Sequence, residues 1–363
     1  MDIHNYLEIM AEKNASDLFF SVGAPITIKV EGSIYPLDNE KLQHESVQKL
    51  VYGIISDEQR SQFEKSMELN FSYELPNIGR YRINLYRQRG EVSMVIRYIK
   101  STIPSMEDLH LPEILKSLTM ESRGLVLIVG ATGSGKSTTL ASMLDYHNAQ
   151  KASHILTIED PIEYIFSNKK SVVEQREVGI DTLSFSNALK NAMREAPDII
   201  MIGEIRDQET MQQAISYAET GHLCLSTLHS SNANETINRI ANFLPESGQA
   251  QLLSELALNL KAIVCQKLLR GTDGNLVPVF EILLKSAYVS HLIETRKIDK
   301  LKQAIENGRE LGMQTFDQTL YDLYEQNKIT KDVALQNADS KVNLSVKIKL
   351  QSEPKSNKII TNK

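Results

Sequence analysis

The sequence predicts an α/β fold in two parts, a small α+β domain followed by a parallel sheet with helices on both faces. Three observations predict this architecture. Within residues 1–100, apolar and polar residues alternate in short stretches, as expected of strands with one buried face. After residue 112, short continuous apolar stretches alternate with helical patterns, which is typical of parallel sheets buried on both faces. A polar stretch containing Pro104 and Pro112 separates the two patterns and is interpreted as a linker.

The first domain, residues 1–100, begins with an amphipathic helical pattern and continues with short strands. The strands are expected at residues 18–20, 26–30, 33–36, 70–73, 80–86 and 93–98. The stretch 80–86 is the clearest of them, because Tyr81, Ile83 and Leu85 alternate with polar residues. Turn residues at 23–25 and 76–79 separate neighbouring strands.

The second domain, residues 113–340, follows the linker at residues 101–112. Strands are expected at residues 124–130, 154–160, 198–204 and 222–228, and helices at residues 137–146, 185–195, 208–220 and beyond Ala233. Residues 341–363 contain six lysines and one glutamate, and this polar composition predicts a flexible tail.

The composition is that of an ordinary globular protein, and it argues against several classes. A formal net charge of -6 argues against a protein whose main task is to bind nucleic acid backbone. The two cysteines, Cys224 and Cys265, lie among apolar neighbours, so we expect reduced, buried thiols and no disulfide framework. The acidic N-terminal stretch does not resemble a secretory signal, and no apolar run approaches the roughly 18 residues of a membrane span. A soluble, cytoplasmic protein is therefore expected.

A glycine-rich turn joins the predicted strand 124–130 to the predicted helix 137–146. Its sequence, GATGSGKS at residues 130–137, matches the pattern G-x-x-x-x-G-K-[ST] in full. Glycines permit a tight loop whose backbone N–H groups face phosphate oxygens, and the following helix adds its positive N-terminal end. A dinucleotide-binding turn is excluded, because Thr138 stands where its third glycine would be required.

The loop therefore predicts a P-loop ATPase that binds ATP with Mg²⁺. Lys136 is expected to hold the β and γ phosphates, and the Ser137 hydroxyl is expected to ligate Mg²⁺. The predicted nucleotide-binding residues of this segment are Thr132, Gly133, Ser134, Gly135, Lys136, Ser137 and Thr138.

Acidic residues follow two of the predicted strands of the second domain. Glu204 comes directly after one apolar strand, and Glu159, Asp160 and Glu163 come at the end of another. Because ligands of open α/β sheets bind beyond the carboxyl ends of strands, both sets can converge on the γ phosphate. An isolated acid at a strand end more often has a structural role, and Glu159 and Asp160 equally suit a turn before Pro161.

Two histidines, His222 and His229, flank the predicted strand in HLCLSTLH. A histidine at a strand end is usually a polar residue with satisfied hydrogen bonds, and neither of these two has further ligands at metal-binding spacing. A role as a sensor of the γ phosphate follows only from the neighbouring P-loop.

Four segments in this order resemble known nucleotide motifs: GATGSGKST, TIEDPIEY, IGEIRD and ETGHLCLSTLHSSNA. They resemble the Walker A, Asp box, Walker B and His box of the type II/IV secretion ATPase superfamily, and within it the twitching-motility ATPases. The resemblance extends from ASDLFF near the start to LGMQTFDQTLYDLY near the end. It implies a hexameric ring of identical subunits in the bacterial cytoplasm, at the inner-membrane base of a type IV pilus. Each subunit would have a PAS-like N-terminal domain and a RecA-like P-loop ATPase core.

The resemblance also implies roles for individual residues of the second domain. Glu163 in the Asp box would be the general base, and Glu204 would be the Walker B acid that contacts Mg²⁺. In the His box, His229 would assist catalysis and His222 would contact the nucleotide.

The first domain contributes two implied catalytic residues, Arg82 and Arg97. They match the arginines with which the family reaches the nucleotide across the domain interface. Without the resemblance, surface charge on an exposed strand face would be the favoured interpretation of both arginines.

The chain departs from the primary retraction ATPases, the PilT type, in two places. Their AIRNLIRE segment corresponds here to AYVSHLIE at residues 287–294, which lacks both arginines. The chain also continues through NADSKVNLSVKIKL, which looks like the longer tail of the accessory PilU type. The resemblance thus favours an accessory ATPase, with a PilT-type ATPase and an inner-membrane platform protein as partners.

Three alternatives to the accessory motor stay open at the level of sequence. One is a PilT-type primary retraction ATPase. Another is a regulatory or assembly module in which ATP binding matters more than turnover. The third, a nucleic-acid translocase, would need a basic pore stripe, which the acidic balance of the chain does not support.

Overall fold

The structure is a computed structural model that describes residues 2–30, 32–76, 78–99 and 102–352. The chain divides into two compact units. The first unit is Met1–Ile103 together with Ile162–Phe166, and the second is Pro104–Pro161 together with Ser167–Lys363. The short segment Ile162–Phe166 was expected to belong to the second domain. It groups with the first unit because Ile165 lines a groove with Leu75, Ile78 and Ile99 of that unit.

The first unit is an antiparallel sheet with helices packed against it. Its helices are α1 (Ile3–Glu12), α2 (Ser46–Tyr52) and α3 (Asp57–Ser66). Its strands are β1 (Asp17–Phe20), β2 (Pro25–Val30), β3 (Ser33–Lys41), β4 (Glu68–Leu75), β5 (Gly79–Gln88) and β6 (Glu91–Ile99), in the order β3-β2-β1-β6-β5-β4. The alternation read from residues 80–86 is present, since Tyr81, Ile83 and Leu85 are fully buried in the core of this unit.

The second unit is built on a mainly parallel sheet. Its strands are β7 (Gly124–Val129), β8 (His154–Glu159), β9 (Val172–Glu177), β10 (Ile199–Ile202), β11 (Leu223–Leu228), β12 (Leu260–Arg270) and β13 (Leu276–Leu284). They are ordered β13-β12-β7-β11-β10-β8-β9, and only the edge strand β13 runs antiparallel to its neighbour. Every residue of β7, β10 and β11 is buried, which explains their continuous apolar sequences.

Helices cover the sheet of the second unit. They are α4 (Ile114–Thr119), α5 (Lys136–Gln150), α6 (Phe185–Ala192), α7 (Gln208–Glu219), α8 (Ala233–Ala241), α9 (Glu246–Asn259), α10 (Ala287–Glu294), α11 (Leu301–Asn307), α12 (Phe316–Glu325), α13 (Lys331–Asn337) and α14 (Lys341–Ser352).

Both cysteines are buried thiols, and burial raises the pKa of the Cys224 thiol to about 12. Within the part of the chain that the structure describes, no helix has the length and apolarity to cross a bilayer.

Two parts of the second unit differ from the sequence-based expectation. The region beyond Ala233 was expected to be helical, but it contains the hairpin β12–β13, whose turn is made at Gly274 with a φ of +83°. The tail was expected to be flexible from residue 341, but residues 341–352 form α14. Leu344 and Ile348 of this helix, one turn apart, are buried in the core, while Lys341, Asn343 and Lys349 of the same helix are exposed. Residues 353–363 of the expected tail lie outside the described residues.

The burial of α14 makes a prediction about stability. Leu344→Ala and Ile348→Ala are each expected to lower the free energy of unfolding by about 2 kcal/mol or more, because each leaves a cavity in the core. Val342→Ala is the matched control, since Val342 is 73 % exposed on the same helix, and it is expected to change stability by no more than about 0.5 kcal/mol. Urea unfolding followed by circular dichroism measures both. Equal effects of the three substitutions would contradict the packing of α14.

Candidate nucleotide site

The glycine-rich loop lies between the buried strand β7 and the start of α5. Gly133 and Gly135 have φ values of +78° and +85°, in the left-handed region that residues with a Cβ atom rarely adopt. Gly135 is also the N-cap of α5, so the helix begins directly at Lys136. The two glycines therefore turn the chain from strand to helix within a few residues, and the N-terminal end of α5 faces the loop.

One side of the loop is tightly packed and the other side is open. A Cβ atom on Gly130 would lie 2.4 Å from Ser134 Oγ and 2.5 Å from the carbonyl oxygen of Gln266, so only glycine fits there. A Cβ atom on Gly133 would have no atom within 4 Å. Thr132 and Gly133 are exposed on this open side, whereas Ser134 is buried and its Oγ has no hydrogen-bond partner among the residues that the structure describes. The loop is thus a cradle that closes on β12 and opens outward at Gly133.

Lys136 places a positive charge in this cradle. Its side chain is almost fully buried, and its Nζ donates hydrogen bonds to the carbonyl oxygens of Gly130 and Ala131, both at 2.9 Å. Burial of an ammonium is costly unless hydrogen bonds solvate it, and the two carbonyl oxygens supply them. Half-buried Ser137 and Thr138 follow in the first turn of α5. A cation beside the N-terminal end of a helix is the arrangement that binds phosphate groups.

Glu204 lies at the same edge of the sheet as the loop, because β10 and β7 are both parallel to β11 between them. The chain after β10 is fixed to β11 by two hydrogen bonds of Thr227: its Oγ1 donates to the Gly203 carbonyl oxygen at 2.7 Å, and its own carbonyl oxygen accepts from the Ile205 N–H at 2.9 Å. These bonds hold the backbone on both sides of Glu204. The backbone position of Glu204 is therefore fixed by its attachment to β11.

The Glu204 carboxylate is held between two basic side chains. His229 Nε2 lies 3.2 Å from Oε1, and the guanidinium of Arg206 lies 2.9 Å from Oε2. Arg206 Nη1 is also 3.7 Å from Asp160 Oδ2, so it bridges the acids that follow β10 and β8. The structure thus brings Glu204, His229 and Asp160 together. It also adds Arg206, which the sequence interpretation did not single out. The signal was available, because the segment IGEIRD places Arg206 two residues after Glu204.

Glu159 has a structural environment. It is buried at the end of β8, where its Oε1 accepts hydrogen bonds from Thr157 Oγ1 at 2.7 Å and from Gln175 Nε2 at 3.2 Å. The Cα atom of Glu159 also lies 3.3 Å from where a Cβ on Gly203 would be. Of the two readings that the sequence left open for Glu159, these contacts favour the structural one.

His222 does not lie beside the loop, contrary to the prediction that it contacts the nucleotide. It precedes β11, whereas His229 follows it, and about six residues of strand separate the two edges of the sheet by roughly 20 Å. Its Nδ1 lies 3.1 Å from Thr220 Oγ1 and 3.2 Å from the Tyr217 carbonyl oxygen. The resemblance implied one site for both histidines, but β11 runs between them and therefore places them at opposite edges of the sheet.

The remaining predicted site residues belong to the first unit. Glu163 is exposed in the segment Ile162–Phe166. Arg82 on β5 lies directly opposite Arg97 on β6, and Arg97 lies opposite Asp17 on β1. The buried Asp17 accepts a hydrogen bond of 2.9 Å from Arg97 Nε, so this arginine is anchored although most of its side chain is exposed. That these residues act on nucleotide bound at the loop of the second unit stays a prediction.

Comparisons with known proteins agree with this architecture. The family model described as "Type II/IV secretion system protein" matches residues 3–352. The chain is 48% identical to the type IV pilus ATPase PilU of Pseudomonas aeruginosa over 97% of this chain and 93% of that protein. It is 43% identical to the type IV pilus retraction ATPase PilT of the same organism, over 93% of this chain and 98% of that protein.

A solved structure agrees with the fold. The crystal structure of the pilus retraction motor PilT with bound ADP superposes with a TM-score of 0.87 at 40% identity, covering 94% of this chain and 98% of that chain. The predicted α/β fold, an ATPase core with a smaller N-terminal domain, is therefore confirmed. The chain belongs to the type II/IV secretion system protein family.

Proposed function

We propose that this chain is an ATPase that drives retraction of a type IV pilus in twitching motility, as an accessory enzyme of the PilU type. The observation that carries the proposal is the cradle at residues 130–136, in which the buried ammonium of Lys136, the first residue of α5, is hydrogen-bonded to the loop carbonyl oxygens of Gly130 and Ala131. It lies at the same sheet edge as Glu204 and His229. The relatives that share nearly the whole chain are named pilus ATPases.

The phosphates of ATP fit the open side of the cradle. The backbone N–H groups of residues 132–138 would bind phosphate oxygens, and Lys136 would exchange its carbonyl acceptors for the β and γ phosphates. Mg²⁺ would be held by the Ser137 hydroxyl and, through water, by Glu204, and it would neutralise charge on the phosphates. His229 and Arg206 keep the Glu204 carboxylate in one orientation. In this proposal His229 would also sense the γ phosphate.

Hydrolysis needs two further groups, which the first unit supplies in this proposal. Glu163 acts as the general base that takes the proton of the attacking water, for which its exposed carboxylate is accessible. Arg82 and Arg97 neutralise charge that develops in the transition state, a contribution that arginines delivered to a γ phosphate commonly make. Asp17 holds Arg97 in position for that task.

The finer assignments rest on the relatives and on two local features. The chain is somewhat more similar to PilU than to PilT, and α10 lacks the arginines of the AIRNLIRE segment. We therefore infer a homo-hexamer at the cytoplasmic face of the inner membrane, working with a PilT-type ATPase and the platform protein of the pilus. A PilT-type primary role is the second candidate, because 43% identity to PilT covers 93% of the chain.

Removal of the Lys136 charge tests the phosphate site. Lys136→Ala is expected to lower ATP turnover by about 10²-fold or more, since it removes a preorganised charge from the phosphates. Lys151→Ala is the control: Lys151 is exposed beside His222 at the opposite sheet edge and should leave turnover unchanged. Steady-state phosphate release measures both variants. Near-normal turnover by Lys136→Ala would contradict the assignment.

Glu163→Gln separates catalysis from binding. The amide has nearly the shape of the carboxylate but cannot accept the proton, so ATP is expected to bind normally while turnover falls by about 10²-fold or more. Arg82→Ala should behave in the same way in both assays. Equilibrium binding of a fluorescent ATP analogue is measured beside phosphate release. Loss of binding together with turnover would assign Glu163 a structural role.

Retraction in a piliated host tests the accessory role. Deletion of the gene is expected to reduce retraction force while a PilT-type ATPase is present, because an accessory enzyme adds work to an active motor. In a host that lacks the PilT-type enzyme, this chain alone is expected to drive no retraction. Optical-trap measurements of pili give the force in each strain. Strong retraction by this chain alone would support the primary role.

A further inference from the structure

Gln266 of β12 forms the floor of the phosphate loop. Cys265 pairs with Val129, the last residue of β7. Gln266, the next residue of β12, therefore lies beside the start of the loop. Its carbonyl oxygen is 2.5 Å from the Cβ position of Gly130, and its Nε2 is 2.9 Å from the Cβ position of Gly135. Both ends of the loop therefore rest on this one residue.

The side-chain amide of Gln266 is fixed by Thr139 in the first turn of α5. Thr139 Oγ1 donates a hydrogen bond of 2.7 Å to Gln266 Oε1, and both residues are almost completely buried. A hydrogen bond in such surroundings is strong, because the local dielectric is low and no water competes. The bond ties the neighbouring strand to the helix that carries Lys136 and Ser137.

A polar side chain at this position needs an explanation. Val264 and Leu268, two residues away on either side and on the same face of β12, are apolar, and Leu268 also approaches the Cβ position of Gly135. A pair of apolar residues at positions 139 and 266 could fill the same space, and neither would need a hydrogen-bond partner. An uncharged amide adds a fixed dipole beneath the loop without adding a negative charge under the phosphates.

We propose that Gln266 is a positioning residue of the ATPase, which sets the shape of the phosphate loop through Gly130, Gly135 and Thr139 and thereby sets nucleotide affinity. It does not touch the reacting atoms. Its loss therefore weakens binding of ADP and ATP and leaves the chemical step at saturating ATP largely intact. The inference rests on the proposed ATPase function for its turnover readout, but its binding readout does not depend on hydrolysis.

The decisive variant is Gln266→Glu. The carboxylate retains the size of the side chain and still accepts the Thr139 hydrogen bond, but it places a negative charge beneath the loop that binds phosphates. The dissociation constant of ADP and the KM for ATP are expected to rise about tenfold or more, an effect of one unfavourable charge. The kcat is expected to stay within about twofold of the wild-type value. Gln303→Glu makes the same chemical change on the exposed face of α11 and should alter neither quantity.

A second variant keeps the test decisive if Gln266→Glu does not fold. Gln266→Met preserves volume and loses the Thr139 hydrogen bond, and a roughly three- to tenfold rise in both constants is expected. Isothermal titration with ADP, ATPase kinetics and thermal melting are measured on the full chain. A folded Gln266→Glu protein with wild-type ADP affinity, or variants that lower only the melting temperature, would overturn the proposal. Absent turnover by the wild-type chain would instead refute the ATPase function, while the ADP titration would still decide the role of Gln266.

Discussion

The solvation of one buried cation constrains the architecture of the second unit. The Lys136 ammonium is removed from water, so the carbonyl oxygens of Gly130 and Ala131 must turn inward to meet it. Carbonyls can turn inward in so short a loop only where glycines adopt left-handed backbone angles, as Gly133 and Gly135 do. This geometry in turn requires β7 to end and α5 to begin at fixed positions. The end of β7 is fixed by its neighbours β12 and β11 in the sheet.

The acidic groups near the loop are each held by polar or basic partners. Glu204 is balanced by His229 and Arg206, and Glu159 is satisfied by Thr157 and Gln175. A carboxylate held from two sides keeps one orientation, which under the proposed function would lower the entropic cost of binding Mg²⁺ with its water shell. The site is in this sense prepared for its ligand before the ligand arrives.

The sequence predicted those features whose physics is local. The phosphate loop and its flanking strand and helix follow from residue spacing, and the buried strands β7, β10 and β11 follow from continuous apolar runs. Prediction from the sequence failed where a feature depends on contacts between residues that are distant in the sequence. No local signal marks Gln266, because its partner Thr139 is 127 residues away. The hairpin β12–β13 and the helix α14 were misread for the same reason, since tertiary packing overrode their composition. The error for His222 had another cause: the predicted strand already separated it from His229, but the resemblance assigned both histidines to one site.

The pair formed by Asp17 and Arg97 affects how the arginines of the first unit can be studied. Removal of the Arg97 guanidinium would take away the salt-bridge partner of the buried Asp17 carboxylate. Among the described residues, the Ser16 hydroxyl, which donates to Asp17 at 2.9 Å, would remain. A loss of activity on substitution of Arg97 would therefore mix a folding defect with any catalytic one. Arg82 lies one strand further from Asp17, so its substitution carries no such penalty. Of two neighbouring arginines, only Arg82 can report on chemistry without also reporting on the integrity of the sheet beneath it.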